Sequence, residues 1–210
     1  MRNGWGVQAV LVALAVIAVP FALINSDLAM IGTGLDETLS TLLRLSALLG
    51  ISLVFLTIVT GTFQPALRRA FRPSALFSVH EAFGVAGLAF ILAHFTLLIP
   101  SLGEHWSELN RGYFVLGPIT LFVLVVTVST ALVFRRRLPH VWYKLHVLNY
   151  VVFTAGVVHA LGNGTHADFL ATKLIFAAYL LVALFGLIYR ASSPEWRRRL
   201  SLAGERPRIG

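Results

Sequence analysis

Apolar residues in this chain gather in long unbroken blocks, without the period of 3.6 or 2 that marks a half-buried helix or strand. Six blocks stand out, at about 5–24, 41–60, 77–99, 113–134, 141–161 and 169–190, each near the roughly 20 residues that cross a hydrocarbon core as a helix. Short polar or basic segments separate them, and turn residues punctuate the joins. Pro73 precedes the third block and Pro100 follows it; Pro139 precedes the fifth, and Gly162-Asn163-Gly164 closes it. The pattern predicts an all-α integral membrane protein: a six-transmembrane-helix bundle over residues 1–190, then a basic tail at 191–210. A rival reading takes residues 1–26 as a cleaved signal peptide, but the apolar run from Val7 to Ile24 is longer than most signal cores. Removing it leaves the direction of the later spans unchanged.

Composition sharpens this. Hydrophobic residues make up 57% and charged residues 12% of the 210, with a mean hydropathy of +0.81; a soluble domain carries about a quarter charged residues. There is no cysteine, which excludes disulfides, thiolate zinc sites, cysteine-ligated iron–sulfur clusters and thioether-linked haem. The net charge of +8 does not point to nucleic acid, because the basic residues sit on the short flanks of the apolar blocks. With the N-terminus placed in the cytoplasm, 14 Lys and Arg fall on the inner side and 3 (Arg44, Arg111 and Lys173) on the outer. The positive-inside rule then puts both termini in the cytoplasm and the chain in the cell (inner) membrane.

Four histidines interrupt the apolar blocks, and polar side chains at membrane depth usually mark function. His80 and His94 are 14 residues apart in the third span; His146 and His159 are 13 apart in the fifth. Along a helix these steps rise about 21 and 19.5 Å. Both spans are odd-numbered, so they run parallel, and the histidines match in depth as His80 with His146 and His94 with His159. Two stacked sites, each flanked by two imidazoles, make a frame for two haem b groups bound without covalent attachment. A 14-residue step leaves two side chains about 40° apart around a helix, and a 13-residue step about 140°. The second pair therefore needs a bulge or kink near Gly156, a tilt, or a different approach to the haem column. The competing readings are interhelical hydrogen bonds and a transition-metal path; Glu81 is the one intramembrane acid available to the latter.

Haem propionates call for cations. Arg44, about one turn inside the second span, is the first outer candidate and Arg111 the second; Arg72, Arg137 and Lys144 are available to the inner haem. Tyr150, Phe153, Phe83 and Phe90 lie between the two levels and are candidates to pack between porphyrins. His105, His140 and His166 fall in loops or at interfaces and read as surface residues. Asn163-Gly164-Thr165 is a formal glycosylation sequon.

The histidine spacing, together with VWYKLHVLNYVVFTAGVVHALGNGT and the arginine in TLLRLSALLG, resembles the ferric reductase-like transmembrane domain family. That family covers the membrane core of NADPH oxidases and ferric reductases and the haem subunit of the methionine-sulfoxide reductase system. The resemblance spans about residues 38–190. It implies a six-helix bundle in which His80, His94, His146 and His159 are axial ligands of two b haems. It also sets Arg44 near the outer one. The implied activity is transmembrane electron transfer, with the chain as the membrane redox component of an oxidoreductase. The donor would be a cytoplasmic flavin reductase or a quinol, and the acceptor would lie on the outer face. A flavin- and nicotinamide-binding portion is not expected within these 210 residues, since the lone G-x-G in IGTGLD lacks the strand–turn–helix setting of a phosphate site. Two alternatives remain at this level: a haem-holding anchor subunit of a partner oxidoreductase, as in the methionine-sulfoxide system, and a haem-free transporter.

Overall fold

The computed structural model describes residues 3–105, 111–133, 135, 137, 139–164 and 167–194. The tail from 195 onward and His166 lie outside them, as do the side chains of His105, Arg111 and His140. The elements are α1 (Asn3–Leu23), α2 (Asn25–Leu28), α3 (Leu35–Thr62), α4 (Gln64–Leu67), α5 (Pro73–His105), α6 (Arg111–Val133), α7 (Pro139–Asn163) and α8 (Leu170–Ser192). Six of these helices, all but α2 and α4, are long and apolar enough to cross a membrane.

The helices overrun the apolar blocks. α3 starts at Leu35 and α5 runs on to His105, passing through Pro100, which was expected to end it. Pro20 and Pro118 are likewise internal. Hydropathy reports the thickness of the apolar layer, whereas a helix stops where its backbone finds other partners. In lipid, a proline's lost hydrogen bond is a smaller penalty than abandoning the helix.

α3 is the hub. Of its most apolar stretch 56% is buried, against 6% for α1 and α5. It packs antiparallel on α5, touches α1, α7 and α8, and leaves the second antiparallel pair, α6 and α7, beside it. Its many hydroxyls do not break it, because they bond back to their own helix: Thr57 Oγ1 donates to the Leu53 carbonyl at 2.9 Å and Thr60 Oγ1 to that of Leu56 at 2.7 Å. α3 and α5 cross where glycine meets glycine. A Cβ on Gly87 would stand 3.2 Å from the Val54 nitrogen and 3.4 Å from the Gly50 carbonyl oxygen, so only a residue without one lets the backbones come this close. On the far side of α3, the rings of Phe55 and Tyr179 of α8 stack at 4.1 Å, and Ser52 shares a hydrogen bond with the Tyr179 hydroxyl at 3.4 Å.

Candidate functional site

The α3–α5 and α6–α7 pairs enclose two cavities, one nearer each end of the bundle. The larger, about 370 Å³, is lined by His80 of α5 and His146 of α7. The smaller, about 120 Å³, is lined by His94 and His159 from the same two helices. The pairing drawn from span parity is thus the pairing observed. The His80 and His146 rings are 5.8 Å apart between centroids, with their planes at 65°.

Each ring is held from behind. His80 Nδ1 donates to the Thr57 carbonyl at 2.9 Å, with Thr60 Oγ1 at 3.3 Å. His94 Nδ1 donates to the Leu43 carbonyl at 3.1 Å, and His159 Nδ1 to the Tyr113 carbonyl at 2.8 Å. A carbonyl can only accept, so in these three rings Nδ1 carries a proton, and in the neutral ring it is Nε2 that has the lone pair. His146 differs. Its Nδ1 lies 3.3 Å from Asn149 Nδ2, and Asn149 Oδ1 lies 2.7 Å from Thr127 Oγ1 on α6.

Helix spacing explains the anchors. The acceptors Leu43 and Thr57 are 14 residues apart on α3, matching the 14 between His80 and His94 on antiparallel α5. Gly50 and Gly87, at the crossing, are the midpoints of the two intervals. Two further glycines make room for rings. A Cβ on Gly61 would sit 2.9 Å from His80 Cε1, and one on Gly117 would sit 2.8 Å from His159 Cε1. The 13-residue step of α7 is taken up by approach, not distortion. α7 is α-helical through Gly156, and His159 lies against Gly117 of α6 while His146 faces His80 directly.

The remaining candidates are distributed unevenly. The cations that line the larger cavity are Arg68, Arg135 and Arg190; Arg72, Arg137 and Lys144 do not. Arg135 also lies over the Phe77 ring, 4.3 Å from its centroid. Arg44 lines neither cavity. It pairs with Asp27 at 3.0 Å and bonds to the carbonyl and hydroxyl of Ser40. Tyr150 lines the larger cavity, its hydroxyl bonded to Thr62, and Phe153 lines the smaller; Phe83 and Phe90 line neither. The residues common to both cavities are aliphatic, Val54 and Leu124. Glu81 lines the larger cavity, and among the described residues no three acid or histidine side chains gather as a metal-ion site.

Compared with known proteins, residues 44–157, more than half of the chain, match the family model described as ferric reductase like transmembrane component. The chain belongs to this family. No solved structure matches it. The matched stretch begins at Arg44, contains His80, His94 and His146, and stops two residues short of His159. Membership in the ferric reductase-like family, with six apolar helices, makes this a multi-pass membrane protein and points to membrane electron transfer. At the larger cavity one distance can be set beside what a haem would need. With metal–imidazole bonds of about 2.0 Å, a bis-histidine iron sets the ring centroids roughly 6.3 Å apart. His80 and His146, at 5.8 Å, stand within reach of that spacing.

Sequence reasoning missed Asn149, Thr127, Gly61 and Gly117. Asn149 had left a signal: an amide three residues after His146, on the same helical face and at membrane depth.

Proposed function

We propose that the bundle conducts electrons across the cell membrane through two haem b groups, held by His80 with His146 on the inner side and by His94 with His159 on the outer side. The observation that carries this reading is the meeting of the four imidazoles at two depths, three of them anchored through Nδ1 with Nε2 left as a ligand. When bound, each haem would be held by its pair of histidines and would supply a one-electron ferric–ferrous couple.

The chain's own residues do the rest. The carbonyls of Thr57, Leu43 and Tyr113 fix ring orientation and raise ligand basicity, as partners behind metal-bound histidines do. Arg68, Arg135 and Arg190 are the proposed partners of the inner propionates, and their charge at that mouth suits an acidic donor surface. Val54 and Leu124 form a dry septum between the levels, which keeps water away and the dielectric low. The positive-inside rule favours the cytoplasm for this end, where a flavin reductase or a quinol is the proposed donor, with the acceptor on the outer face. In a cell with a negative interior, outward electron movement gains about 2.3 kcal/mol per 100 mV.

The test is haem content per chain by pyridine haemochrome, with each histidine changed in turn. The unaltered protein is expected to hold two b haems. His80→Ala and His146→Ala should remove one, and His94→Ala and His159→Ala the other. Proteoliposomes enclosing an impermeant oxidant should discharge it when a reductant is added outside. A colourless preparation refutes the reading; two haems without transmembrane turnover leave an anchor subunit in its place.

A further inference from the structure

The four imidazoles are not held alike, and the exception has a geometric cause. On α5, the 14-residue step between histidines matches the 14-residue step between carbonyls on α3, so both rings bond main chain. On α6, the anchoring residues Tyr113 and Thr127 are again 14 apart, but the histidines of α7 are 13 apart. One residue is missing from the register, and a side chain fills the gap. Asn149, three residues beyond His146, bridges the ring to the Thr127 hydroxyl.

A carboxamide has two orientations of nearly the same shape and opposite polarity. With Nδ2 toward His146, Asn149 donates to Nδ1 and the ring proton is driven to Nε2, so that an N–H faces the larger cavity. With the amide turned by half a revolution, His146 Nδ1 donates to Oδ1, Nδ2 donates to Thr127 Oγ1, and the Nε2 lone pair faces the cavity. The structure has the first arrangement, with Thr127 Oγ1 donating to Oδ1 at 2.7 Å, and Thr127 permits the second as well. Its side chain is fully buried, at 0% exposure, and its hydroxyl has one proton and a second acceptor in reach, the Leu124 carbonyl at 3.0 Å. Spending that proton on Leu124 leaves Oγ1 to accept from Asn149, and every donor in the chain is then satisfied once.

We propose that Asn149, locked by Thr127, is the positioning residue that fixes the His146 proton on Nδ1 and aims its Nε2 lone pair into the larger cavity. This rests on the haem reading above and deepens it. Of the four proposed ligands, His146 is the one whose Nδ1 meets a side chain and no main-chain carbonyl, so its basicity is adjustable by substitution without touching a helix backbone.

The experiment is a potentiometric titration of both haems in the full-length protein, with haem counted per chain. Asn149→Leu removes the acceptor and should raise the inner potential. Asn149→Asp supplies a stronger acceptor and should lower it. Each shift is expected to be about tenfold in the reduction equilibrium, or 59 mV for one electron, with the outer haem unmoved. Opposite signs are the decisive readout, because a merely structural role moves both variants the same way. Should Asn149→Leu lose its inner haem, Thr127→Val, which keeps the amide but removes its lock, carries the test with a smaller rise. Two haems with an unmoved inner potential, or shifts of one sign, overturn the proposal and leave the haem reading standing. A haem-free preparation of the unaltered protein overturns both.

Discussion

A methyl group added at Gly117 would stand 2.8 Å from His159 Cε1, 3.1 Å from its Nε2 and 3.3 Å from its Nδ1. Ordinary contact begins near 3.4 Å, so in Gly117→Ala the ring must retreat by about 0.6 Å. It has little freedom to do so. Its Nδ1 is tied to the Tyr113 carbonyl at 2.8 Å, and metal–ligand distances tolerate only about 0.2 Å. Overpacking of this kind costs about 1–3 kcal/mol, which weakens haem binding at the smaller cavity by roughly 5- to 150-fold at 1.4 kcal/mol per tenfold. The assay is titration of haem into haem-depleted protein, read by difference spectra, with Gly6→Ala as the control. A Cβ on Gly6 meets Phe71 at an ordinary 3.8 Å and should change nothing. Gly61→Ala is expected to act in the same way on the larger cavity, where the clash with His80 is at 2.9 Å. If Gly117→Ala binds both haems as tightly as the unaltered protein, the ring of His159 is not confined as described.

Leu124, 4% exposed and common to both cavities, should cost about 2–5 kcal/mol on truncation to alanine. Leu124→Ala should therefore lower the thermal midpoint and perturb both haem spectra, and a change confined to one spectrum would count against a shared septum. Arg44→Gln breaks a partly exposed ion pair, worth about 1 kcal/mol or less, and should leave both haem potentials in place; loss of the outer haem would give Arg44 a propionate to hold. With a haem bound between them, the 65° between the His80 and His146 planes would leave the two π-type iron d orbitals nearly equivalent. The ferric inner haem should then show a strongly anisotropic low-spin EPR signal, and a rhombic spectrum of the parallel-plane kind would contradict the geometry.

The parts of this site legible in the sequence are those that depend on counting along a helix. Spacing and span parity give the His80–His146 and His94–His159 pairs, because rise per residue is fixed and alternate spans share a direction. What depends on phase around a helix, or on where a loop turns, was not legible. Arg68, Arg135 and Arg190 reach the larger cavity, whereas Arg72, Arg137 and Lys144, closer to the histidines in number, do not. Arg44 pairs with Asp27, a residue 17 positions earlier on the far side of a turn that no periodicity foretells. Of the aromatic candidates for the space between the two levels, Tyr150 lines one cavity and Phe153 the other, while the residues common to both are Val54 and Leu124. Pro100 marked a helix end by soluble-protein rules that lipid suspends.

The midpoint crossing of α3 and α5 has a bearing on biogenesis. These two helices are the second and third spans, and once they cross at Gly50 and Gly87 they already present one histidine for each cavity, with both main-chain anchors in place. The opposing ligands arrive on α7, after two more helices have been made. A nascent chain therefore offers two half-open clamps that cannot shut until its fifth span has entered the bilayer, and on the proposed haem reading cofactor capture at both levels would be a single late event in assembly.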